Sequence, residues 1–87
     1  MDELKECRKE IDLIDRKVVK LLLLRLELAK AIGIYKKSNE LKIEDKKREY
    51  GILSNIEKYS GEAHQKFFKK IFGSIIGYSK KIQRRSR

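Results

Sequence analysis

The stretch LLLLRLELAK, Leu21 to Lys30, sets one arginine, Arg25, inside the most apolar segment of the chain. Working outward from it, apolar residues recur at Leu4, Cys7, Ile11, Ile14, Val18, Leu21, Leu28, Ile32 and Tyr35. This spacing of alternating threes and fours predicts one long helix over about residues 2–37. Arg25 is the member of the series that breaks it. A permanent charge therefore takes an inward-facing position, where an unpaired guanidinium costs several kcal/mol and needs a counter-charge or a wet pocket.

Ser38 and Asn39 give the long helix a polar break. Asp45 is a good N-cap for a second helix over about 46–59, with Ile52, Leu53 and Ile56 inward and Gly51 a mild weak point. Ser60 and Gly61 stop it. A third helix is expected over about 62–83, carrying Phe68, Ile71, Phe72, Ile75, Ile76 and Ile82, with the RRSR tail frayed. Proline, tryptophan and threonine are missing, and strand-type alternation is absent. The fold class is all-α, with no internal repeat and no linker across residues 1–87, hence one domain.

Length adds a second argument. A helix of about 36 residues spans roughly 54 Å, whereas a compact chain of this size has a radius of gyration near ~12 Å. The first helix must outrun its own domain with its apolar seam exposed. Pairing two long helices about a two-fold axis solves this, so a homodimer is expected. Cys7 has no partner cysteine in the chain, which suits a reducing, cytoplasmic setting, and its spacing from Leu4 and Ile11 reads as a small core residue. Charged residues near the start and the lack of an 18-residue apolar run argue against a signal peptide or a membrane span.

The formal charge of +10 attracts anions of some kind, though scattered lysines also serve as a solvated surface. Nucleic acid is disfavoured because the few aromatic residues are not interleaved with Lys and Arg on one face. Taken alone, Arg25 could set register in a helix seam or snorkel to water. It has company, however. Lys36 lies three turns on, within about 20° of the same face and roughly 16 Å along the axis. Ser79 and Gln83, at i and i+4, extend the line of Phe72 and Ile76. Asp45, Arg48 and Glu49, in EDKKRE, open the second helix beside its orphan N–H groups. All three helices thus bring hydrogen-bonding groups inward. With one histidine and no Cys/His cluster, no metal site and no cofactor are expected. A set of Arg, Lys, Gln and Ser without a nucleophile suits chemistry driven by binding and electrostatics.

The runs CRKEIDLIDRKVVKLLLLRLELAKAIGIYK, IEDKKRE and IFGSIIGYSKKIQ together resemble the all-helical class of chorismate mutases, with the polar positions in the same order. The resemblance implies an intertwined dimer of three-helix chains and an isomerase that converts chorismate to prephenate toward phenylalanine and tyrosine. It further implies that Arg25 and Arg48 face the substrate, Arg25 as a carboxylate clamp, and that Arg8 is a second clamp donated by the partner chain. Lys36 and Gln83 would bond the ether oxygen, Glu49 with the Asp45 backbone the ring hydroxyl, and Ser79 a carboxylate. Arg8 and Arg25 of one helix are about 25 Å apart, too far to share a small ligand, and antiparallel pairing of two long helices is one way to bring them together. A related lyase that removes pyruvate from isochorismate is the nearest alternative; a basic nucleic-acid-binding dimer and a bare assembly module are others. Lys42 stands where the family usually has proline, and the YSGEAHQ loop is short.

Overall fold

The computed structural model describes residues 2–86, and these form three α-helices without a strand. Helix α1 spans Glu3–Ser38, α2 Lys46–Ser60 and α3 Gln65–Arg85, with a single 3-10 turn, Glu62–His64, leading into α3. Expected and observed helices differ by a residue or two at most ends. At the start of the third, a 3-10 turn replaces the first α-helical residues.

Local chemistry explains the boundaries of α1 and α2. Asp2 caps α1, its Oδ1 accepting from the N–H groups of Leu4 at 3.1 Å and Lys5 at 3.3 Å. Acidic Glu3 and Glu6 at the start and basic Lys36 and Lys37 at the end complement the helix dipole. The helix stops because Glu40 turns left-handed, at φ 55°. The Leu41 N–H then donates to the Lys36 carbonyl at 2.8 Å and the Glu40 N–H to Lys37 at 3.2 Å. These paired bonds satisfy carbonyls that a helix end otherwise leaves open. Asp45 caps α2 through the Arg48 N–H at 3.0 Å. Gly61, at φ 73°, ends α2 in a conformation that suits glycine.

Helix α3 packs against both α1 and α2, whereas α1 and α2 do not pack on each other. Contacts climb α1 and α3 in the same sense, from Arg25–Ser79 to Gly33–Gln83. At Gly33 the helices nearly touch: a Cβ there would lie 2.6 Å from the Gln83 carbonyl oxygen and 2.7 Å from its Cα. Glycine at 33 is what allows this approach.

The rest of α1 runs free. Overall dimensions are 59 × 27 × 14 Å, and the radius of gyration is 16.4 Å, well above the ~12 Å of a compact chain of this length. Leu4, Ile11, Ile14, Val18 and Leu21, the expected inward series, are 47–66% exposed. Cys7, expected in the core, is exposed as well, because it lies on the stretch of α1 that no other part of the chain covers. The buried apolar side chains are Ala29, Ile43 and Ile76, a thin core. Among the described residues, no helix is long and apolar enough to cross a membrane.

Candidate active site

Where the three helices converge, they line an open cavity of about 510 Å³. Helix α1 contributes Arg25, Ala29 and Lys36; the connecting loop, Ile43 and Asp45; α2, Arg48 and Glu49; α3, Ser79, Lys80 and Gln83. Leu28, Ile32, Ile52 and Ile76 form its apolar lining. Seven of the eight candidate residues from the sequence therefore share one chamber. The eighth, Arg8, sits on the exposed part of α1, seventeen residues, or roughly 25 Å, before Arg25 on the same helix.

Arg25 answers the question raised by its sequence position. Its Nη1 donates to the Ser79 hydroxyl at 2.8 Å, joining α1 to α3. Partial burial, and then the like charge of Arg48, hold its pKa below the ordinary arginine value. At physiological pH it remains cationic nonetheless. Two guanidiniums facing one chamber make a binding place for anions rather than a structural ion pair.

Lys36 donates from Nζ to the Ile43 carbonyl at 2.8 Å. The residue whose own carbonyl closes α1 thus also holds the following loop. An ammonium has three N–H donors, so others remain for a ligand. Gln83 is 8% exposed, and its Oε1 is buried without a hydrogen-bond partner. Oε1 can only accept and is closed off from the cavity, so the group that Gln83 can offer a ligand there is its amide N–H.

Lys80 was not among the sequence candidates. Its Nζ lies 3.3 Å from carboxylate oxygens of both Glu49 and Glu44, and Lys46 pairs with Glu44 at 3.1 Å. These contacts draw the Glu44 carboxyl below its usual pKa, the Lys46 bond contributing most and the Lys80 bond next, and Glu44 raises the Lys46 ammonium in return. Lys80 stands at i+4 from Ile76 and i−3 from Gln83, a helical spacing that puts it on the cavity face. That spacing was the available signal.

The chain is thus a three-helix domain whose cavity is lined by Arg25, Lys36, Arg48 and the amide of Gln83. Residues 7–84 match the family described as chorismate mutase type II, and the chain belongs to that family. It is 39% identical over 92 residues to a bifunctional chorismate mutase/prephenate dehydratase of Aquifex aeolicus, a match covering 95% of this chain and 25% of that protein. The chain thus spans a quarter of the length of that relative. It is 35% identical over 86 residues to a chorismate mutase of Methanocaldococcus jannaschii, covering 97% of this chain and 87% of that one. Among solved structures it is similar to a conserved hypothetical protein from Pyrococcus furiosus, with a TM-score of 0.81, 42% identity and coverage of 95% and 97% of the two chains.

Proposed function

We propose that this chain rearranges chorismate to prephenate, the isomerase step of its family in aromatic amino-acid biosynthesis, in a chamber completed by a second copy of itself. The observation that carries the reading is the convergence of Arg25, Lys36, Arg48 and Gln83, from three helices, on one cavity.

The reaction is unimolecular. The ether C–O bond of the enolpyruvyl group breaks ahead of C–C bond formation, and no atom is gained or lost. A catalyst must hold the flexible diacid in its bent conformer and stabilise negative charge growing on the ether oxygen. Arg25 and Arg48 take the carboxylates. Ser79, whose oxygen accepts from Arg25, keeps its own O–H to donate to a carboxylate. Lys36 and Gln83 meet the ether oxygen, where a cation and an amide N–H strengthen their bonds as charge develops. Glu49 and the Asp45 backbone hold the ring hydroxyl. An acceleration of about 10⁶ corresponds to about 8 kcal/mol, and one donor placed on developing charge supplies about 3–4 kcal/mol. Two donors and conformational restraint reach that figure without a covalent intermediate.

Arg8 completes the cage from the partner chain. Its support is the uncovered seam of α1, where Leu4, Ile11, Ile14 and Val18 stand exposed on the same stretch as Arg8. An antiparallel second α1 covers that seam and carries its Arg8 toward this chain's Arg25. A cytoplasmic location goes with this reading. The test is direct: purified protein is mixed with chorismate, the loss of its ultraviolet absorbance is followed, and the product is identified. Prephenate without released pyruvate supports the mutase; release of pyruvate, or no change, refutes it.

A further inference from the structure

We infer that Lys80 is a positioning residue that holds Glu49 in place for the ring hydroxyl of the substrate. The inference rests on the proposed function, which gives Glu49 that contact.

Glu49 belongs to the first turn of α2, and α2 packs on α3 and the 3-10 turn that leads into it, not on α1. Its position relative to Arg25 and Lys36 on α1 is therefore set by α3 and by the loop that Lys36 holds at Ile43. Among the described residues, two ion pairs tie α2 to α3: Lys80–Glu49 at the cavity, 3.3 Å, and Lys69–Glu57 at the far end, 2.6 Å. The first is the more enclosed, with side chains 20% and 21% exposed, against 49% and 38% for the second. Lys80 Nζ approaches both oxygens of Glu49, at 3.3 and 3.4 Å, and both of Glu44, at 3.3 and 3.5 Å. One ammonium thus separates two carboxylates. Without it the half-buried Glu49 would face the exposed Glu44 as a like charge and swing away from the chamber. A hydroxyl held in substrate and transition state alike contributes uniform binding, so the loss should fall on KM rather than kcat.

The experiment is a double-mutant cycle on the full chain, with circular dichroism confirming helix content. Lys80→Met should lower kcat/KM for chorismate about tenfold, mainly through KM. Lys80→Arg should restore most of it. In a Glu49→Gln background Lys80→Met should cost less than about twofold. Lys69→Met, removing the far pin, should leave both constants unchanged. An undiminished penalty in the Glu49→Gln background, a loss confined to kcat, or an equal loss in Lys69→Met overturns the inference. The same cycle read as Kd for a rigid bicyclic ether diacid, with and without a hydroxyl, separates the two readings. Wild-type protein that binds the diacid but leaves chorismate unchanged refutes the proposed function, and the Kd cycle then judges Lys80. Failure to bind the diacid refutes both.

Discussion

The two halves of α1 share one helical pattern and lead different lives. From Leu22 onward the helix packs on α3, and its buried residues are the small Ala29 and Gly33. Before that point the same face carries Leu4, Ile11, Ile14 and Val18, all exposed. Size explains the division. A helix face with Ala and Gly admits the backbone of α3 closely enough to put Gln83 into the cavity wall. A face of branched side chains in threes and fours is built to interdigitate with another long helix. One half shapes a chamber; the other carries Arg8 on a seam that nothing in its own chain covers.

The most damaging change to this picture is Arg25→Ala, expected to lower kcat/KM by about 10³-fold, since the proposed carboxylate clamp and the bond to Ser79 vanish together. Activity kept intact by Arg25→Leu, with a gain in melting temperature, would instead make Arg25 a register device. The Arg8→Ala chain should be inactive too, although Arg8 lies outside the cavity of its own chain. Mixing the two inactive chains sharpens the comparison: random pairing of shared sites rebuilds about one quarter of them. No recovery, with mixed dimers demonstrated, would confine each half of α1 to its own chain's work.

Gln83→Glu comes next. The amide donates at any pH, whereas a carboxylic acid donates only when protonated, with an ordinary pKa near ~4.3. Turnover should fall about 10²-fold at pH 7 and partly recover below about pH 5. An unchanged pH–rate profile in this variant would remove Gln83 from the ether oxygen.

Much of this arrangement could be read from residue spacing because it depends on helix periodicity. Arg25 and Lys36 fall on one face of α1, Ser79 and Gln83 on one face of α3, and Asp45 heads α2 as its cap. What escaped depends on pairing between helices. The spacing of Lys80 gives its face but not its partners, which appear only when the α1–α2 loop and α2 bring Glu44 and Glu49 within 3.3 Å of it. Ile43 is a loop residue whose carbonyl gains meaning only when Lys36 reaches it. Glu40 ends α1 left-handed, at φ 55°, a place where glycine is the usual signal. Cys7 followed the apolar pattern faithfully, but periodicity gives the direction of a side chain, not whether anything lies opposite.

Gly33 and Gly73 offer the finest comparison, since both interrupt a helix and their neighbourhoods differ. A Cβ at Gly73 meets nothing within 4 Å, so Gly73→Ala should stabilise the chain by about 0.5–1 kcal/mol through lower unfolded-state entropy and leave kcat unchanged. At Gly33 the same methyl meets the Gln83 backbone at 2.6 Å, and backbone cannot rotate aside. Gly33→Ala should force α3 outward, at a cost of about 1–3 kcal/mol. A shift of about 1 Å at Gln83 would also take it from its proposed place at the ether oxygen, a displacement able to lower kcat by as much as about 10²-fold. Thermal melts and kcat measured side by side check this. If Gly33→Ala melted higher and turned over normally, the close crossing of α1 and α3 would have no part in placing Gln83.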